Sequence, residues 1–184
     1  MLQKNLYSYS FNDSEQIEFR LISSDDSIEE LTKLLHKSYK VLADMGLKYV
    51  AATQDHSITL SRTSHAYKCY IGMYEHKIAS TISLYSPKPS DKSSWYNKDY
   101  VAKLGQFAVA PELQKYGIGS KMMGIVEEEA RRIKNVRELA LDTAETAHHL
   151  IDFYKKRGYR YVETIQWDET NYRSVVLSKP LHSF

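Results

Sequence analysis

The sequence predicts a single mixed α/β domain, and three observations carry that expectation. Stretches rich in β-branched and aromatic residues come in pairs. "AYKCYIGMYE" is followed by "KIASTISLYS" across a turn near His76, and "YRYVETIQW" by "YRSVVLSK" across "DETN"; each pair reads as a hairpin. Ahead of the first pair, apolar residues recur at helical spacing, as at Ile28, Leu31, Leu34, Leu35 and Leu42. Finally, 184 residues with 42% hydrophobic and 26% charged side chains match an ordinary globular chain that buries one core.

"IEFRLI" (17–22) is the first expected strand, so residues 1–16 read as an N-terminal extension and 17–180 as the core of one domain spanning 1–184. Ser23 to Ser27 offers helix N-caps, a helix runs from Ile28, and Gly46 is its stop. Residues 47–64 predict a broken or second helix with a loop. After the first hairpin, "PKPSDKSSWYNKD" (87–99) is a loop by composition and the candidate for a flexible insertion. "VAKLGQFAVA" (101–110) is a strand. "GIGSKMMGIVEEEARRI" is a helix with Ile118, Met122, Ile125, Val126 and Ile133 on one face, and with Glu127–Arg131 and Glu128–Arg132 pairs on the other. "RELALD" (137–142) is a strand, and "AHHLIDFYKKR" is a helix closed by Gly158 as a left-handed cap. The order is β-α-α-β-β-β-α-β-α-β-β.

Composition excludes several functions. The net charge of +2, from 25 basic and 23 acidic side chains, lacks the excess a nucleic-acid partner asks for. No apolar run approaches the roughly 20 residues of a membrane span. "MLQKNLYSYSFND" has no apolar signal core, and Cys69 is the single cysteine, so a reducing cytoplasm is expected. Cys69 lies in "KCYIGMY", a buried-strand pattern where cysteine acts as a small hydrophobe. His148 and His149 are adjacent, do not share a helix face, and suggest no metal.

Chemistry concentrates in "FAVAPELQKYGIGSKMM" (107–123). A helix N-terminus carries unpaired amides and partial positive charge, and glycines let an anion reach them. Gly117 and Gly119 give that access to the amides of Tyr116 to Ser120, with Lys115 or Lys121 adding charge. The alternative is a tight strand-to-helix turn with no ligand. The nucleotide-triphosphate loop does not fit, since Gln114 stands five before Gly119 and Ser120 follows it; the dinucleotide fingerprint fails at Met122.

"QKYGIG" resembles the Q/R-x-x-G-x-G/A signature of the GNAT superfamily of acetyl-CoA-dependent N-acetyltransferases, matching at Gln114, Gly117 and Gly119. "LGQFAVAPELQKYGIGSKMM" is similar to that family's fourth strand and third helix, and "LALDTAETAHHLIDFYKKRGYRYVE" to its fifth strand, fourth helix and Tyr-x-x-x-Gly-aromatic segment. The resemblance implies a single mixed, mostly antiparallel twisted sheet flanked by helices. It also implies acetyl-CoA as co-substrate, no metal, and direct attack by a primary amine of a small molecule or peptide.

On this sequence the resemblance implies that the pantetheine arm pairs with backbone of Phe107, Ala108 and Val109. The Val109 amide would polarise the thioester carbonyl. Diphosphate would sit on the loop Gln114, Lys115, Tyr116, Gly117, Ile118, Gly119 and Ser120. Tyr154 would contact the cofactor and protonate the departing thiolate, or else merely pack beside Leu150. Where many members carry an asparagine seven residues before that tyrosine, this chain has Ala147, leaving His148 or Thr146 to replace the contact. Asp142, Glu145 and Asp55 are candidate bases for the ammonium. Each has a plain alternative: Asp142 or Thr143 capping a helix with Glu145 completing a capping box, and Asp55 capping a short helix. Acceptor binding maps to 49–57 and 166–174, with Gln54, Asp55, His56, Trp167, Asn171 and Tyr172 as lining, although ordinary surface loops have the same composition. A non-catalytic acyl-CoA sensor of the same fold is the alternative reading. Exchange or pairing of the last hairpin would make a homodimer.

Overall fold

A computed structural model describes residues 7–12, 14–90 and 92–181. An eight-stranded sheet has the order β1-β2-β3-β4-β5-β6-β8-β7. Its strands are β1 (Tyr7–Ser10), β2 (Gln16–Leu21), β3 (Lys68–Tyr74), β4 (Lys77–Tyr85), β5 (Val101–Val109), β6 (Glu138–Ala144), β7 (Arg160–Gln166) and β8 (Arg173–Pro180). Every pairing is antiparallel except β5 with β6. Helices α1 (Ile28–Asp44), α2 (Val50–Thr53), α3 (His56–Ser64), α4 (Ile118–Arg131) and α5 (His148–Lys156) flank it.

The helix ends follow local chemistry. Ser27 caps α1 by accepting from the Glu30 amide, and Gly46 beyond its end takes φ +80°. The 47–64 stretch is broken as expected: Asp55 accepts from the Ser57 and Ile58 amides and starts α3. Gly158 follows α5 at φ +91°. One core collects Ile17, Phe19, Leu31, Leu35, Tyr70, Ile82, Leu84, Met122 and Val126, all nearly inaccessible to solvent.

Three expectations are corrected. Within the N-terminal extension, residues 7–10 form an edge strand on β2, pairing Tyr7 with Phe19 through Ser10 with Gln16; alternating tyrosine and serine gave too weak a hydrophobic signal. The 87–99 loop is held down, because Ser93, Ser94 and the Trp95 amide bond Glu163, and Tyr96 is buried against Val101, Ile165 and Val176. Glu127 does not pair with Arg131 at the surface. It is buried and takes Arg157 (3.2 Å), Lys179 (2.8 Å) and the Tyr159 hydroxyl (3.3 Å).

The β2–β3–β4 layer is packed to contact at Gly72. A Cβ there would lie 2.8 Å from Ile17 Cδ1 and 3.0 Å from Phe19 Cε1, and would collide with Ser80 Oγ. Overpacking of this kind costs about 1–3 kcal/mol. Gly72→Ala is therefore expected to lower the urea midpoint by a loss near the top of that range, with an unchanged m-value; an unaltered midpoint would contradict the packing.

Candidate active site

The site begins where two strands part. β5 and β6 pair only at Val101–Glu138, Ala102–Leu139 and Lys103–Ala140. β5 then continues along β4 to Val109, and β6 along β8 to Ala144. A wedge opens between their inner edges. At its apex β5 carries a bulge: Ser83 faces Gly105 while Thr81 faces Ala108, and Gln106 takes φ +50°.

Beyond the bulge the backbone direction is fixed by alternation. Ala110 donates to Ala79 O at 2.8 Å, so residue 110 turns toward β4 and residue 109 turns toward the wedge. The Val109 carbonyl accordingly accepts from Ser38 Oγ and Gln114 Nε2, both at 3.1 Å, and the Phe107 carbonyl from Tyr39 Oη at 3.1 Å. The N–H groups of Phe107 and Val109 face the same opening. On the opposite wall, the Ala144 amide donates to Tyr49 Oη at 2.9 Å, and that hydroxyl meets Thr143 Oγ1 at 2.8 Å. Tyr39 and Tyr49 touch with ring centroids 5.4 Å apart, and Tyr49 meets Tyr172 at 4.8 Å.

The loop from β5 to α4 runs through a 3-10 turn, Pro111–Leu113, then through Lys115 at φ +72° and Gly117 at φ +79°. Gly117 is the N-cap of α4, and no side chain caps it, so the amides of Ile118, Gly119 and Ser120 stay available. A Cβ on Gly119 would stand 3.2 Å from the Phe107 ring, and one on Gly117 would stand 2.6 Å from Tyr9 Oη. Tyr9 itself donates to Tyr116 O at 3.0 Å. The edge strand thus buttresses the loop. Gln114 sends its side chain back to Val109, tying loop to strand end.

Tyr154 on α5 is buried, between Phe153 and Tyr159 at 5.2 and 6.0 Å between centroids. Its hydroxyl makes no hydrogen bond among the described residues. Burial drives its pKa far above that of a free phenol, and Tyr39, Tyr49 and Asp142 push in the same direction. Ala147 is the N-cap of α5 without a side-chain bond, so neither Asp142 nor Thr143 caps that helix and no capping box forms with Glu145.

A cavity of about 960 Å³ adjoins the wedge. Of the residues expected to line it, Trp167 and Tyr172 do so. Asp142 also faces it, holding Lys103 Nζ (3.1 Å), Tyr96 Oη (3.0 Å) and Trp167 Nε1 (2.9 Å). Gln54 lies behind the wall, 2% exposed, and bonds Gln106 and Arg62, which do line it. Asp55 is spent as the α3 cap and borders a separate hollow of about 600 Å³. Glu145 pairs with Arg173 at 2.8 Å, outside the walls of the large cavity. Sequence reasoning included Tyr49 in the 49–57 segment but missed Tyr39, Arg62, Tyr96, Lys103 and Gln106. Lys103 and Gln106 left a trace, as polar residues interrupting an apolar strand.

Comparison with known proteins identifies the family. Residues 28–159 match the model of the Acetyltransferase (GNAT) family. The chain is 29% identical over 142 residues to S-(2-succino)cysteine N-acetyltransferase of Bacillus subtilis, covering 77% of this chain and 82% of that protein. It is 27% identical over 146 residues to S-alkylcysteine N-acetyltransferase of the same organism, covering 77% of each. A crystal structure of a GNAT family acetyltransferase from Elizabethkingia anophelis with acetyl-CoA bound superimposes with a TM-score of 0.61 at 17% identity, over 89% of this chain and 97% of that one. The chain belongs to the GNAT family, and its activity is N-acetyl transfer.

Proposed function

We propose that the chain takes the acetyl group from acetyl-CoA and places it on the primary amine of a small molecule, with an S-substituted cysteine as the acceptor class. The observation that carries the reading is the wedge: one unpaired strand edge bearing the Val109 amide, an uncapped helix N-terminus at one end, and an aromatic cavity beside it. The names of the two Bacillus subtilis relatives support the acceptor class. Bound acetyl-CoA would supply an activated thioester and a diphosphate.

The residues then divide the work. The α4 amides and Gly117 hold the diphosphate, because only a bare backbone allows so close an approach. The Val109 N–H stands on the strand edge where a thioester oxygen gains charge. Tyr154 keeps its proton across the working pH range and has no competing partner, so it is free to donate to a departing thiolate. Burial that raises the phenol's pKa raises that of a neighbouring thiol as well, which keeps the transfer from becoming uphill.

Asp142 suits a different task. Burial works to raise its pKa, but the Lys103 charge, with bonds from Trp167, Lys103 and Tyr96, outweighs burial and holds the carboxyl below the usual range. So engaged, it is a weak base. Its role is to fix Trp167, Tyr96 and Lys103 as cavity walls. Glu145 lies too far into its pair with Arg173 to serve as base, and the amine's proton leaves through cavity water.

Calorimetric titration is expected to show binding of acetyl-CoA and none of ATP or NAD, and amine-dependent thiol release separates the enzyme from a mere acyl-CoA sensor. Gly117→Val should weaken acetyl-CoA binding at least about tenfold with an intact circular dichroism spectrum, since the left-handed turn and Tyr9 both reject a side chain; unchanged binding would remove the diphosphate cradle.

Tyr154→Phe should lower kcat by about 100-fold, the lower end of general-acid effects, while leaving the melting temperature in place, because the hydroxyl has no partner to lose. Full turnover in that variant would refute the acid role.

Asp142→Asn should destabilise by about 2 kcal/mol at neutral pH, discounted from a fully buried pair because the Lys103 side chain is 37% exposed. The folded pKa is depressed, so the wild-type advantage is present above the unfolded value of about 3.9 and disappears as pH falls through the folded one. Melting curves that keep a constant gap between wild type and variant down to strongly acidic pH would contradict this.

A further inference from the structure

Arg62, in the last turn of α3, lines the large cavity yet has no carboxylate within 4.0 Å among the described residues. The cavity's other inner cation, Lys103, is neutralised by Asp142. Lys88 and Glu169 stand at exposed positions with opposite signs, and His65 is exposed. Arg62 is therefore the uncompensated charge on the inner wall.

Its hydrogen bonds polarise a chain of amides. A guanidinium only donates, so the Gln54 side-chain oxygen must face Arg62 (3.2 Å). That turns the Gln54 NH₂ toward Thr59 Oγ1 (2.8 Å) and Gln106 Oε1 (3.1 Å). Gln106 is then left with its own NH₂ at the far end. That Nε2 is buried and has no partner, although Gln106 is only 8% exposed. Its backbone sits at φ +50°, in the bulge that opens the wedge. A buried donor without an acceptor is costly, and native structures rarely tolerate one unless something else satisfies it. Both ends of the relay are donors and both belong to cavity-lining residues; Arg62 has the Gln54 oxygen but no carboxylate, and Gln106 Nε2 has no acceptor at all among the described residues.

We infer that Arg62 forms an anchor for a carboxylate of the acceptor, with Gln54 and, behind it, Gln106 as the positioning residues that fix its direction. The inference rests on the acceptor reading above and assigns its recognition to particular side chains. A carboxylate is acceptor-only, carries the charge Arg62 lacks, and matches the planar fork of a guanidinium. An acceptor without it leaves Arg62 without a counter-charge.

The test uses the full-length protein, acetyl-CoA, S-benzyl-L-cysteine and its carboxamide, which keeps the α-amine and the thioether. Wild type is expected to prefer the acid in kcat/KM by about 10- to 100-fold, the range of a charge-assisted bond. Arg62→Gln should collapse that ratio mainly through the KM of the acid, and Arg62→Lys should recover it partly. Gln106→Glu, equal in shape, replaces the free donor with an anion and should also lower the ratio. The amine pKa difference between the probes is common to all variants, so the change in ratio isolates the anchor. Calorimetry with acetyl-CoA verifies that each variant is folded, and the wild-type ratio alone decides if a variant is not. Equal efficiency toward acid and amide in wild type, or an Arg62→Gln ratio like that of wild type, overturns the anchor while acetyl transfer stands. Acetylation of neither probe, with thiol release to some other amine, overturns the acceptor class and the anchor with it.

Discussion

The structure depends on three residue pairs ending where they do. Had β5 and β6 continued in register past Lys103 and Ala140, the inner backbone of Phe107 and Val109 would have been consumed by the sheet. Instead the bulge at Gln106 turns β5 away, and its polar groups must be answered individually. Tyr39, Ser38 and Gln114 answer the carbonyls of Phe107 and Val109; Tyr49 answers the Ala144 amide on the other wall. The carbonyls are satisfied from within the protein, and the amides on the same edge are left facing the opening. An edge prepared in that way suits the cofactor pairing proposed above, and Tyr39 of α1 meets Tyr49, the N-cap of α2, across the gap.

The same parting organises the ends of the site. At one end the chain leaving Val109 must reverse into α4, and the left-handed Gly117 makes that turn without a cap that would block the helix amides. At the other end β6 carries Asp142 to the cavity floor, where Lys103 reaches it from the last paired position of β5. The ion pair thus stands at the hinge of the wedge. Its partners Tyr96 and Trp167 come from a loop and a turn that also pack on Val101, Ile165 and Val176, so the aromatic walls are held by both packing and hydrogen bonds to Asp142.

Much of this was legible in the sequence. Elements with strong periodicity or clear punctuation, such as α1 between Ser27 and Gly46, were expected nearly to the residue, and "QKYGIG" named the loop. The edge strand at Tyr7–Ser10 was not legible, because one face is polar and its stability comes from β2. Glu127 looked like a surface pair by helical spacing; only the packing of β8 and the α5 end against α4 shows that it is a buried charge with two cations. Gln54 was expected to touch substrate and stands one layer behind. The acceptor walls were mostly missed for a general reason: they are assembled from α1, α2, α3, β5 and the 86–96 loop, and no local pattern reports which side chains converge.

Two buried tyrosines show how function can be told from structure when both are strongly perturbed. Tyr154 and Tyr159 pack against each other, and burial raises the pKa of both well beyond a free phenol. Tyr159 donates to Glu127, which in turn holds Arg157 and Lys179, so its proton has a permanent acceptor and the group closes a network that ties α4, α5 and β8 together. Tyr154 has the same environment and no acceptor. The Tyr154 ring is buried while its hydroxyl oxygen keeps access to solvent, so that group is open to a ligand's acceptor without a cost to the fold. By the same logic the orphaned amide of Gln106 and the unpaired guanidinium of Arg62 differ from the satisfied Asp142–Lys103 pair beside them. Other buried polar atoms, Tyr70 Oη and Ser83 Oγ among them, also lack partners inside the core, so an unanswered group points to a candidate site here only where its residue lines the cavity, as Arg62 and Gln106 do.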